Sequence, residues 1–191
     1  MLTKEELKDL AAKEAARLKQ MTDEEIKEEF IKSFGKEKWD EEEMLGKLIP
    51  LSMEVSDSLG IDYVPIMFEA IVEDSRIYFE EEYIAISNRF IGNYLECAKC
   101  VCHELRHIFQ LFYAKSEIDA RAKKMKEELA NAIELDITDP ESITAYSFQE
   151  IEIDAYAFTK WYLKTRLGIE VAHPSKDYEF VISAYMDKYF N

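Results

Sequence analysis

Cys102-His103-Glu104-Leu105-Arg106-His107-Ile108-Phe109-Gln110 decides how the rest of this 191-residue chain is read. His103 and His107 stand four apart. An α-helix turns about 100° per residue, so both imidazoles project from one face, about 40° apart and one turn above each other. That spacing lets them close on a single metal ion. Glu104 is offset far enough to avoid ligation, yet near enough to reach a water held at the ion. His-Glu-x-x-His on a helix therefore combines two nitrogen ligands with a general base, which is the equipment of metal-assisted hydrolysis. The chain holds three histidines, and two of them are here.

A catalytic zinc site takes three protein ligands and keeps a fourth position open. No further histidine follows at metzincin spacing, because His107 is succeeded by Ile108-Phe109-Gln110-Leu111-Phe112-Tyr113. The downstream candidates are Glu150, Glu152 and Asp154, within Gln149-Glu-Ile-Glu-Ile-Asp-Ala-Tyr-Ala-Phe158. Residues two apart on a helix point about 200° away from each other, so these three cannot all face one ion. Glu150 and Asp154 share a face, and Glu152 lies on another with Ala155 and Tyr156. Ser147-x-x-Glu150 reads as a capping box, which would engage Glu150 at the helix start. Ala155, three residues after Glu152, is small enough for two ligand helices to approach closely. Glu152 is the favoured third ligand; Glu150, with Asp154 beneath it as a supporting carboxylate, is the rival. An exposed acidic helix face is the bland alternative for the whole cluster.

On these residues the chain resembles the gluzincin branch of zinc metallopeptidases, with its downstream glutamate on a separate helix. Glu152-x-x-Ala155-x-x-Phe158 is similar to the Glu-x-x-Ala-x-x-Phe-Ala segment of ImmA/IrrE-type and related small zincins, common on phages and mobile elements. The resemblance covers about Tyr83 to Lys164. Thr159 stands where that family favours alanine, and the insert between His107 and Glu152 holds an extra helix. The resemblance implies a zincin fold with a short sheet beside the motif helix. It also implies Zn2+ held by His103, His107 and Glu152, and a peptide or protein substrate hydrolysed with Glu104 as catalytic base. The alternative is a non-enzymatic zincin-like module, regulatory or partner-binding, whose metal is a structural clamp. An intact Glu104 speaks against that, since a structural site has no use for a base.

Composition narrows the remaining possibilities. With 40 acidic and 24 basic residues the net charge is −16 and the isoelectric point is near 4.7. Nucleic acid and anionic membrane are poor partners for such a surface, because phosphate binding needs a basic footprint. A hydrophobic share of 48%, including 13% aromatic residues, is enough for a real core. The start of the chain carries acids without an apolar stretch, and no run approaches a membrane span. Three clustered cysteines, Cys97, Cys100 and Cys102, do not resemble a disulfide framework. A reducing cytoplasm fits. The oligomeric state is not legible.

The predicted fold class is α+β: zincin-like, mainly helical, with a small antiparallel sheet beside the motif helix. Residues 1–60 read as an N-terminal helical extension and residues 61–191 as the metallopeptidase domain. In the extension, one helix runs from Thr3 to Gln20 and a second opens at the Thr22-x-x-Glu25 box and stops at Gly35. A third, with Trp39, Met44, Leu45 and Leu48, ends at Pro50; a fourth runs from Leu51 to Leu59 and closes at Gly60. Asp40 to Glu43 reads as a solvated helix start rather than a cation site. Val64 to Val72, Ile77 to Phe79 and Tyr83 to Ile86 are three antiparallel strands. Helices follow near Asn93 to Phe112, Ser116 to Leu135, from Asp139-Pro140, Ser147 to Leu167 with Gly168 as stop, and Lys176 to Phe190. The last should turn Phe180, Val181, Ala184 and Tyr185 inward.

Other side chains have two possible readings. Cys100 falls near the histidine face and Cys97-x-x-Cys100 mimics a metal or redox pair, but buried cysteines on apolar helices are mostly inert core. Asn88 and Arg89 are placed at the rim of the sheet. Tyr146, Tyr156 and His173 are candidates to stabilise an oxyanion, against ordinary roles as core aromatics and a turn residue.

Overall fold

The computed structural model describes residues 39–71, 73–136, 138–173 and 175–190, together with scattered positions between 9 and 32. The helix predicted over Thr3–Gln20 and the one ending at Gly35 fall largely outside the described residues. The Thr22 capping box is formed: Thr22 N donates to Glu25 Oε2 at 2.8 Å, and Glu25 N donates to Thr22 Oγ1 at 3.3 Å. The described elements are α1 (Glu41–Leu59), β1 (Ile66–Glu69), β2 (Ser75–Tyr78), β3 (Tyr83–Ser87), a 3-10 turn (Asn88–Phe90), α2 (Tyr94–Ser116), α3 (Ala120–Ala130), α4 (Pro140–Ser147), α5 (Glu150–Leu167) and α6 (Lys176–Tyr189). The fold is mainly helical with one small sheet. Two compact units divide at Leu105/Arg106, and α2 runs unbroken through that point. None of the described helices is long and apolar enough to cross a membrane.

In the first unit, α1 begins on a reciprocal cap. Glu43 N donates to Asp40 Oδ1 at 2.8 Å and Asp40 N donates to Glu43 Oε2 at 3.4 Å. The acidic run Asp40–Glu43 is thus a helix start, favoured by the helix dipole. Met44, Leu48, Leu51 and Val55 repeat at helical spacing and are buried. The expected break at Pro50 does not occur: one helix runs through it to Gly60, whose φ of 67° gives the left-handed cap. Pro50 is itself buried between Ile49 and Leu51. Packing on both sides holds the helix across the hydrogen bond that proline cannot donate.

The sheet is mixed rather than antiparallel, with strand order β1-β3-β2. β3 pairs antiparallel with β2 (Ser75 opposite Ile86, Tyr78 opposite Tyr83) and parallel with β1 (Ile66 opposite Ile84, Glu69 opposite Ser87). Ile84, Ala85, Ile86 and Ser87 are all buried, so both faces of β3 are covered and it must be the centre strand. Both Glu69 and Ser75 lie at the C-terminal end of β3, so the connection from β1 to β2 crosses at that end. Ser87 fastens the crossing: its N donates to Asp74 O at 2.9 Å and its Oγ to Ile71 O at 3.2 Å. Alternating hydrophobicity marks the strands but does not encode this order. The first half of α2 completes the core with Tyr94, Cys97, Ala98, Val101, Cys102 and Leu105.

In the second unit the predicted Ser116–Leu135 helix is shorter. Glu117 takes a left-handed φ of 46°, and Asp119 then caps α3 by accepting from Ala122 N at 2.8 Å. The Asp139-Pro140 start of α4 is as predicted, Asp139 Oδ1 accepting from Glu141 N at 3.0 Å. The Ser147–Glu150 capping box is absent. Ser147 closes α4 with its Oγ donating to Ile143 O at 2.8 Å, and Gln149 occupies the N-cap position of α5 without a side-chain capping bond. On α6 the inward face is Tyr178, Val181, Ile182 and Tyr185, packed on Ile153 and Ala157 of α5. Phe180 and Ala184 point outward, with Phe180 76% exposed. Val181 and Tyr185 face inward as predicted, while Tyr178 and Ile182 take the places expected for Phe180 and Ala184.

Candidate metal centre

The first two turns of α5 are buried on almost every side. Ile151, Ile153, Ala155, Ala157 and Phe158 are buried, and so are the carboxylates Glu152 (2% exposed) and Asp154 (0%). A buried carboxylate is tolerated only when paired or hydrogen-bonded. Each has found a different solution.

Asp154 meets two arginines and an amide. Oδ2 accepts from Arg106 Nε at 2.7 Å and Gln110 Nε2 at 2.8 Å; Oδ1 accepts from Arg106 Nη2 at 3.0 Å and Arg121 Nη2 at 2.8 Å. Burial by itself would raise its pKa. The Arg106 charge, the hydrogen bonds from Arg106 and Gln110, and the Arg121 charge together hold it below the ordinary carboxylate value. Arg106 is sandwiched by rings, its guanidinium 4.4 Å from Phe109 and 5.2 Å from both Phe158 and Phe190.

Glu152 faces the histidines. Its Oε1 lies 3.4 Å from His107 Nε2. His103, one turn earlier on the same unbroken helix, joins them: His103, His107 and Glu152 each offer a ligand atom, all within 4.8 Å of one another. Two imidazoles and a carboxylate suit zinc. Zinc–ligand distances of about 2.0–2.1 Å in a tetrahedral site put neighbouring ligand atoms about 3.4 Å apart, and the His107–Glu152 pair stands at that separation. His107 is held from behind, Nδ1 lying 2.9 Å from Gln110 Oε1, and Gln110 Nε2 also donates to Ile151 O at 2.8 Å. The three residues could hold a metal ion.

Glu104 is not in that group. It is buried at 6% exposure, and its Oε1 accepts from Ser75 Oγ of β2 at 2.7 Å. Cys97, Cys100 and Cys102 are free and buried. Burial pushes the Cys97 thiol up to about 12, and raises Cys100 and Cys102 as well. They stay protonated at neutral pH, which removes thiolate chemistry.

The remaining candidates have other occupations. Glu150 pairs with Lys124. Tyr156 and His173 pack edge to face at 5.6 Å, and His173 lies 4.5 Å from the Tyr178 ring. His173 Nδ1 accepts from Ser175 N at 3.1 Å, a turn bond. Tyr146 is half-buried on α4. Arg89 pairs with Asp74 on the surface, and Asn88 opens the 3-10 turn. Sequence reasoning assigned nothing to Ser75, Arg106, Gln110 or Arg121. A polar stripe at 103, 106, 107 and 110 on an otherwise apolar helix is the signal that pointed to two of them. No protein-family model, curated protein or solved structure matches the chain.

Proposed function

We propose that this chain is a zinc-dependent peptidase. The observation that carries the reading is the approach of His107 Nε2 and Glu152 Oε1 to 3.4 Å, with His103 one turn away on the same helix. When bound, the ion would supply Lewis acidity, making water nucleophilic near neutral pH and polarising a scissile carbonyl. His103, His107 and Glu152 would hold it. Glu104 takes the proton from the attacking water and returns it to the leaving amine. Ser75 anchors Oε1 of Glu104 and so fixes which way the carboxylate turns. A net charge of −16 favours neutral or basic peptides as substrates over any polyanion.

Purified protein should hold about one zinc per chain by elemental analysis and cleave members of a mixed peptide library. Glu104→Gln should keep the zinc and lose hydrolysis by about 10²–10⁴-fold, the usual worth of a general base. Zinc loss in Glu104→Gln, or undiminished cleavage, would show the assigned roles to be wrong. One zinc per chain with no cleavage of any peptide would make the metal a structural clamp.

A further inference from the structure

The polar group behind His107 has a direction built into it. Gln110 is fully buried on α2, three residues beyond His107. Its amide touches three groups, and two of them are acceptors only: the Ile151 carbonyl at 2.8 Å and the Asp154 carboxylate at 2.8 Å. The NH2 end must point there, because the reversed amide would set its oxygen against a carbonyl oxygen and an ionised carboxylate. Asp154 cannot turn away, since Arg106 and Arg121 hold both of its oxygens. Gln110 Oε1 is then committed to His107 Nδ1 at 2.9 Å. An amide oxygen only accepts, so the imidazole hydrogen belongs on Nδ1. That leaves Nε2 on the side of Glu152, 3.4 Å away.

We infer that Gln110 is the positioning residue of this centre. Its amide locks His107 in the Nδ1–H tautomer with Nε2 presented for ligation, and ties that ring to the buried Arg106–Asp154–Arg121 cluster. The inference rests on the metal reading above for its purpose, but its geometry is a property of the metal-free protein. Because Gln110 bonds α5 at Ile151 and Asp154, on either side of Glu152, it also sets the spacing of the two helices that carry His107 and Glu152. A ring held only by packing would be free to adopt either tautomer, and one of them offers no lone pair at Nε2.

Nitrogen-15 spectra of the imidazoles test this directly. The chain has three histidines, so His107 is assigned by comparison with His107→Ala. In metal-free wild type His107 should carry a hydrogen on Nδ1, whatever the state of Nε2. Gln110→Leu should let a form of His107 bare at Nδ1 appear and weaken zinc binding by about 10- to 100-fold in competition with a chelator. A wild-type His107 bare at Nδ1 overturns the inference. A folded Gln110→Leu with unchanged tautomer and zinc affinity overturns it equally. Wild type that shows Nδ1–H but takes up no zinc supports the amide lock while sinking the peptidase proposal.

Discussion

Asp154→Asn separates charge from shape at the heart of the second unit. The native carboxylate accepts four hydrogen bonds, two at each oxygen, from Arg106, Arg121 and Gln110. Asparagine is the same size, but one end becomes NH2, and whichever oxygen it replaces faces two donors. The substitution therefore breaks two hydrogen bonds, sets donor against donor, and leaves two guanidinium groups without an anion. Arg106 has 7% of its side chain exposed and Arg121 28%, so water can compensate little at the first and partly at the second. Deleting one partner of a buried pair costs about 3–5 kcal/mol. Against a total stability of about 5–15 kcal/mol that is a large share. It corresponds to a fall in melting temperature of roughly 6–20 °C for a domain near this size. Urea denaturation with an unchanged m-value would measure it. The charge also has a pH signature. The folded-state pKa of Asp154 is depressed, so its stabilisation is complete above the unfolded value near 3.8 and fades as pH falls through the lower folded value. Wild type should lose stability below about pH 4 more steeply than Asp154→Asn. A loss under about 1 kcal/mol, the level of an exposed pair, or identical acid limbs, would refute the reasoning.

Two further outcomes follow from the same geometry. Glu152→Ala should weaken zinc binding by more than about 100-fold, the upper end for losing a mere supporting residue, while Glu150→Ala removes only the partly exposed pair with Lys124 and should leave affinity within about two-fold. Chelator competition on both variants decides it, and the opposite order would shift the ligand to Glu150. Folded protein should resist thiol alkylation at about pH 8 because burial raises all three cysteines, whereas protein in urea should label at each; labelling of the folded form at the rate of a free thiol would contradict their burial.

Where a local rule set an element's end, that end was legible. Asp40, Asp139-Pro140, Gly60 and Gly168 each act through the backbone of their own turn, and each stands where its chemistry placed it. The misreadings come from longer range. Pro50 carries a local penalty, but buried neighbours along α1 outweigh it. Ser147 and Glu150 have capping-box spacing, yet Gln149 holds Ile133 through both ends of its amide and starts α5 two residues later. Phe180 looked like core on composition; the packing partner, Ile153 with Ala157, selects the face led by Tyr178 and Ile182 instead. Strand order is the extreme case, because the parallel pairing of β1 with β3 depends on where the connection from β1 to β2 crosses, and no side-chain pattern records that path.

The candidate metal site divides along the same line. The spacing of His103 and His107 is a property of one helix, and the opposition of Glu150 and Glu152 is a property of another, so both could be argued from helical angles alone. What joins them lies 41 to 48 residues apart in sequence, in the bonds from Gln110 to Ile151 and from Arg106 to Asp154. Even so, the need for such bonds was written locally. His103, Arg106, His107 and Gln110 recur at i, i+3, i+4 and i+7, while Val101, Cys102, Leu105 and Ile108 cover the neighbouring faces. A polar stripe enclosed by apolar residues cannot be left to water, so another element has to bring it acceptors and charge. The acidic turn Glu150–Asp154 is such an element. Because Glu152 and Asp154 are two residues apart, they leave α5 in different directions. Glu152 turns to His107, and Asp154 turns to Arg106 and Gln110 behind it. The carboxylate that meets the ligands and the one that anchors their support are therefore set by a single rotation of α5.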